Sequence, residues 1–167
     1  SGNGKTTFAM QLAKYLCRFE KVLYNSLEQG DTPSFIKQLK ENGMEEVEGR
    51  FFVTSVQVAD LEERLQKRGS PKVVVIDSVQ LFDVDIRAVR KLRDENPTKL
   101  FIYVSQCESN KPTGRTAVKI MYEADLKILI SGFKALSKGR YGGDEPFIIN
   151  KEKALRFWGE NQNKDEQ

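Results

Sequence analysis

The chain has 167 residues, 39% of them hydrophobic and 31% charged, and a net charge of +3; that composition fits one domain with a buried core, excludes a disordered chain, and is too weakly basic to argue for nucleic acid by itself. With no histidine and only Cys17 and Cys107 as cysteines, the sequence excludes a Cys/His zinc site, a histidine base and a disulfide framework. No apolar run approaches the roughly 20 residues of a membrane-spanning helix and no signal peptide is visible, so the expectation is a protein with no membrane partner in a reducing, cytoplasmic compartment.

The chain starts without Met and inside a motif, and is read as having lost a first strand. Residues 5–18 carry Phe8, Ala9, Leu12, Ala13 and Leu16 at helical spacing. Cys17 on this pattern reads as a small buried hydrophobe. Residues 21–26 (KVLYNS) read as a strand of a parallel sheet. Thr32-Pro33 signals a helix start and Gly43 its stop, followed by a short strand from Phe51 to Thr54. Asp60 with Glu63 reads as a capping box opening a helix with Leu61 and Leu65. Val73 to Ile76 is a β-branched run, hence a buried strand. Ile86, Val89 and Leu92 mark a helix that closes before Pro97, and Leu100 to Val104 is the next buried strand.

A short helix near 117–123 follows, then strand-like pieces at 126–130, 133–136 and 147–149. The last two flank Gly139, Gly142 and Gly143, a hairpin signal. The tail at 159–167 is polar and reads as loose. Strands alternating with helices predict an α/β fold, a mostly parallel sheet covered by helices on both faces, which the C-terminal antiparallel hairpin extends at one end.

Five elements carry chemistry. Ser1-Gly2-Asn3-Gly4-Lys5-Thr6-Thr7 is the back half of a phosphate-binding loop, G-x-x-x-x-G-K-[ST]. Small residues at a helix N-terminus let backbone N–H groups face phosphate. Lys5 is expected on the β- and γ-phosphates and the Thr6 hydroxyl on Mg²⁺, which makes ATP and Mg²⁺ the expected ligands. A glycine-rich turn with a surface lysine is the plainer alternative. Asp77 ends the buried strand, where open parallel sheets bind ligands, and is expected to hold the water shell of Mg²⁺; a turn aspartate is the alternative. Glu28 follows the 21–26 strand, where a carboxylate polarises a water for attack on a phosphate, or is simply solvated. Gln106 follows the 100–104 strand and suits a γ-phosphate sensor, or is a polar strand end. Lys138 and Arg140, two apart on a strand, point to one side and address one phosphate group, or form a basic edge that resists aggregation.

Together these pieces resemble the RecA-like P-loop ATPases, most of all the ATPase core of RadA/Sms recombination proteins and DnaB-type helicases. The resemblance covers residues 1–150. It is carried by SGNGKTT (1–7), VLYNSLE (22–28), KVVVIDSVQ (72–80), FIYVSQ (101–106) and SKGRYGG (137–143). It implies a three-layer RecA-like sandwich over residues 1–158 and a homo-oligomer, ring or filament. It implies roles for Glu28 in activating water, for Gln106 in sensing γ-phosphate, and for Lys138 and Arg140 in acting on a neighbouring subunit's nucleotide. It also implies two DNA-facing loops, here 80–85 and 107–116, with single-stranded DNA met by Lys111 and Arg115. The chain lacks the zinc module and the protease-like domain of RadA, so a compact phage or mobile-element relative fits as well. Two other functions share the same sequence features: a nucleotide-driven switch or assembly ATPase without DNA, and a small-molecule P-loop kinase. The kinase is disfavoured because no arginine-rich lid is visible. The basic helix with Arg87, Arg90, Lys91 and Arg93 reads mainly as a solvated face.

Overall fold

A computed structural model describes residues 2–139, 143 and 145–162. The chain divides into two compact units, Ala9–Tyr122 and Ser1–Phe8 with Glu123–Gln167, and each is taken by itself.

The larger unit is an α/β layer structure. Its strands β1 (Val22–Ser26), β2 (Phe51–Thr54), β3 (Val73–Asp77) and β4 (Leu100–Val104) form one parallel sheet in the order β2-β1-β3-β4. The strands β1 and β3 are buried along their whole length, as expected of a sheet covered on both faces. Alternate residues feed two cores. Val22, Tyr24, Val73 and Val75 pack with Ala9, Met10 and Ala13 of α1 (Lys5–Leu16), Phe35 of α2 (Pro33–Glu41) and Cys17. Leu23, Val74 and Ile76 pack with Leu61 and Leu65 of α3 (Val58–Gln66) and Leu92 of α4 (Ile86–Asp94). Leu61 is fully buried, so truncating it to Ala costs about 2–5 kcal/mol in transfer and cavity terms.

Local signals set most of these elements. Thr32 accepts from the Phe35 N–H ahead of Pro33 at the first helical turn, and Gly43 takes the left-handed conformation after α2, as a helix stop requires. Asp85 accepts from the Arg87 and Ala88 N–H groups and caps α4. The predicted capping box at Asp60 is not formed. The helix starts earlier, with Gln57 as its cap residue, which leaves Asp60 in the first turn and pairs Glu63 with Lys67 at 3.5 Å.

The sheet register aligns Ser26, Asp77 and Val104 in one row at the carboxyl ends of three adjacent strands. This row places the residues that follow each strand along one edge, where parallel α/β sheets take ligands. Beyond β4 the predicted loop 107–116 is in fact ordered. Cys107–Glu108 (β5) and Lys111–Pro112 (β6) pair as a small antiparallel hairpin, and α5 (Arg115–Glu123) begins directly after it. Its turn residues Ser109 and Asn110 both have positive φ, the requirement of a tight two-residue hairpin turn.

In the smaller unit, β7 (Leu126–Ser131), β8 (Lys134–Gly139) and β9 (Phe147–Ile148) form a three-stranded antiparallel sheet. The predicted β8–β9 pairing is present, but the sheet is separate: among the described residues no ladder joins it to the parallel sheet. Its tight turn is at Gly132-Phe133, between the paired residues Ser131 and Lys134, so Phe133 lies in a turn and not in a strand. The helix α6 (Lys151–Gln162) closes the described chain and continues through 159–162. Asn150 accepts from the Lys153 N–H at its start. Among the described residues no helix is long and apolar enough to cross a membrane.

Candidate active site

In the smaller unit, Gly2 and Gly4 have φ of +90° and +94°, which side chains rarely adopt. Gly4 leads straight into α1, and its carbonyl accepts the Phe8 N–H at 2.9 Å. Lys5, Thr6 and Thr7 therefore form the first helical turn, whose N–H groups point out of the helix end. No acidic residue sits in that turn, so no carboxylate of the turn offsets the positive end of the helix.

A brace that the sequence did not reveal holds this turn. The Phe133 N–H donates to the Asn3 carbonyl at 3.1 Å, and the Phe133 carbonyl accepts from Ile149 at 2.9 Å. A Cβ on Gly4 would come within 2.9 Å of the Phe133 ring. Phe133 itself has φ +60°, a costly conformation for a bulky residue. The preceding Gly132 carbonyl accepts the Trp158 indole N–H at 3.1 Å, which anchors the turn. Gly132-Phe133 was readable only as a glycine before an apolar residue, so its role lay in contacts distant in sequence.

In the larger unit, Asp77 is 4% exposed and the Tyr24 hydroxyl donates to its Oδ2 at 2.6 Å. Burial first, then the charge of Asp77 and this hydrogen bond, then the charge of Glu28, keep the Tyr24 hydroxyl protonated well above its ordinary range. The Asp77 carbonyl accepts from the backbone of Leu27 at 2.6 Å and of Glu28 at 3.3 Å. The exposed Glu28 is thereby tied to the strand that ends in Asp77. The peptide bond joining Asp77 to Ser78 is cis.

Carboxamide side chains stitch the rest of this edge, and composition alone did not single them out. Asn25, fully buried, accepts from the Val56 N–H at 2.9 Å and donates to its carbonyl at 2.8 Å. Gln57 donates to the Leu81 carbonyl at 3.1 Å and accepts from the Asp83 N–H at 2.9 Å. Gln80 donates to Ser105 Oγ at 2.7 Å and to the Thr113 carbonyl at 2.8 Å, and accepts from the Gln106 N–H at 3.1 Å. An amide offers both donor and acceptor without charge, which suits it to pairing with backbone on both sides.

The remaining predicted residues lie as follows. Gln106 is exposed, with its backbone held by Gln80 and Thr113. Lys111 on β6 and Arg115 at the start of α5 are both exposed. Lys138 on β8 is exposed and directly opposite Lys127 of β7, a like-charge pair that disfavours the hairpin. Arg140 lies outside the described residues. A cavity of about 520 Å³ lined by Lys14, Tyr15, Arg18 and Glu46, among others, contains none of the predicted residues. On the basic helix α4, Lys91 pairs with Glu62 at 3.2 Å and Arg93 with Asp94 at 2.8 Å.

The residues fit the ligands that the sequence implied. Two positive-φ glycines before a helix start without acidic residues suit phosphate oxygens. Beside Asp77, the buried Ser78 hydroxyl finds no hydrogen-bond partner among the described residues, as expected where a hydrated cation and its waters bind. Among the described residues no group of three or more Cys, Asp or Glu side chains gathers into a metal cage. No protein-family model matches the chain, and no curated protein matches it significantly.

Proposed function

We propose that this chain is a Mg²⁺-dependent P-loop ATPase of the RecA-like class that works as a cytoplasmic homo-oligomer on DNA. The observation that carries the reading is the row Ser26–Asp77–Val104, which sets the buried acid Asp77 between the strand leading to Glu28 and the strand leading to Gln106. Lys5 and Thr6 hold the phosphates and the metal, and Asp77 holds the metal's water shell. Mg²⁺ held by these residues would supply positive charge to offset that of the phosphates. Glu28 takes the proton of the attacking water, and Gln106 hydrogen-bonds the γ-phosphate. Lys138 and Arg140 act on a neighbouring subunit's nucleotide. Single-stranded DNA is met by Lys111 and Arg115 on the β5–β6 hairpin and the start of α5.

The reading is tested by Glu28→Gln, which keeps the size of the side chain and removes the base. Mg-ATP affinity should stay within about threefold while turnover falls by about 10²–10⁴. A variant hydrolysing at the wild-type rate would make Glu28 a bystander. Single-stranded DNA should raise turnover and bind less well as salt rises, because phosphate contacts release counterions. A flat response to DNA at low salt would favour a switch of the same fold. Trans action predicts that specific activity climbs with protein concentration. It also predicts that Arg140→Ala mixed with Glu28→Gln regains activity, since a trans-acting cation is worth about 10³–10⁵ in rate.

A further inference from the structure

We propose that Gln80 is a positioning residue that couples the conformation of Gln106 to the β5–β6 hairpin, carrying the nucleotide state to the exposed face around Lys111. The proposal rests on the nucleotide-binding reading above. Gln106 and Thr113 close the base of the hairpin through the Thr113 N–H and the Gln106 carbonyl at 3.0 Å. The Gln80 carboxamide spans that base: its oxygen takes the Gln106 N–H at 3.1 Å, and its nitrogen donates to the Thr113 carbonyl at 2.8 Å and Thr113 Oγ1 at 3.3 Å. The same nitrogen donates to Ser105 Oγ at 2.7 Å, and that hydroxyl in turn donates to the Gln106 carbonyl at 2.9 Å. One side chain thus addresses both strands of the hairpin and the strand end before it.

Gln80 is itself fixed in place. It follows Asp77 by three residues, within the turn Val79–Leu81, whose first residue is buried. Gln57 holds the adjoining Leu81 and Asp83, and Thr116 Oγ1 of α5 donates to the Val84 carbonyl at 3.1 Å. With the 79–85 segment pinned from two sides, a movement of Gln106 is passed to the hairpin and not absorbed by the loop beneath it. Because one carboxamide bonds both sides of the hairpin base, its hydrogen bonds form one network in which a change at Gln106 is felt at Thr113. Glu in this place keeps the acceptor but loses both donors.

The test is backbone hydrogen exchange over residues 105–113 in the full-length protein, with and without a non-hydrolysable ATP analogue and Mg²⁺. In the wild type the analogue should slow exchange in this segment by roughly five- to tenfold, the effect of one hydrogen bond strengthened in the bound state. In Gln80→Glu the analogue should still bind, and the change in exchange should vanish. Ser105→Ala, a milder variant that removes one acceptor of Gln80 and one donor to the Gln106 carbonyl, should at least halve the effect, and it keeps the test open where Gln80→Glu folds poorly. A full ligand-induced change in both variants would overturn the proposal, as would a wild type that binds the analogue without any change at the hairpin. A wild type that binds no analogue would overturn the nucleotide-binding reading and this proposal with it, so the two failures are distinct. Equal unfolding midpoints for wild type and variants would separate coupling from mere loss of stability.

Discussion

The glycine turn that opens α1 and the carboxyl edge of the parallel sheet are built by opposite means. From Gly2 to Thr7 the shape is written in the backbone: two positive-φ glycines, a helix start, and a ring from Phe133 packed where a Cβ would stand. At the carboxyl edge the shape is written in side chains that join residues far apart in sequence: Tyr24 to Asp77, Asn25 to Val56, Gln57 to Leu81 and Asp83, and Gln80 to Ser105, Gln106 and Thr113. The first kind of site fails when a side chain is added. The second fails when a polar atom loses its partner, because an unmet buried group keeps its full desolvation cost.

Gly4→Ala should have the largest effect. It forces a side chain into φ +94° and against the Phe133 ring, so roughly 2–4 kcal/mol of stability and at least tenfold in nucleotide affinity should be lost. Denaturant unfolding and ligand titration measure the two losses. An unaltered Gly4→Ala protein would show that the Phe133 brace is slack. On the other side of the comparison, Asn25→Ala leaves the Val56 N–H and carbonyl without their partner and should cost about 2–3 kcal/mol in the same unfolding experiment. A cost under about 0.5 kcal/mol, the size of an ordinary surface change, would remove the amide clamp from the account.

Two buried tyrosine hydroxyls, of Tyr24 and Tyr103, sharpen the contrast within one sheet. Tyr24→Phe removes one hydrogen bond to Asp77 and should cost about 1–3 kcal/mol, with a raised Mg²⁺ requirement for turnover. The buried Tyr103 hydroxyl on β4 has no hydrogen-bond partner among the described residues, so Tyr103→Phe should be near neutral or slightly stabilising, within about 0.5–1 kcal/mol. Both hydroxyls are held protonated above their ordinary range, by burial foremost in each case, with Arg93 opposing the shift at Tyr103. A folded-state pKa above the unfolded one stabilises the fold below about pH 10 and is lost as pH rises past it. Each Phe variant should therefore flatten the alkaline fall in stability. An unchanged alkaline slope in both would mean that neither hydroxyl titrates with unfolding.

The sequence displayed the sheet because β3 is a β-branched run, β1 opens on apolar residues, and the helix after β1 starts at Thr32-Pro33 and stops at Gly43. It displayed Gly4, Lys5, Glu28, Asp77 and Gln106 because each stands at the end of such a run or the start of a helix. It did not display Phe133, Asn25, Gln57 or Gln80 as structural partners, since their meaning lies in pairings across roughly 25 to 130 positions that no local period encodes. The helix from Lys151 to Gln162 was missed because its apolar stripe is thin: Ala154 is its one buried hydrophobic residue among those described. The hairpin at Cys107–Pro112 was read as loop because its strands are two residues each, shorter than any alternation can mark.

The central claim is that Lys5 and its neighbours hold Mg-ATP. The most direct measurement is titration of a fluorescent ATP analogue, with and without Mg²⁺, into the full-length protein and its Lys5→Ala variant. Saturable, Mg²⁺-enhanced binding should weaken by about 10- to 100-fold in Lys5→Ala, the loss expected for a charge-assisted phosphate contact. Equal affinity in the two proteins, or no binding by the wild type, would contradict it.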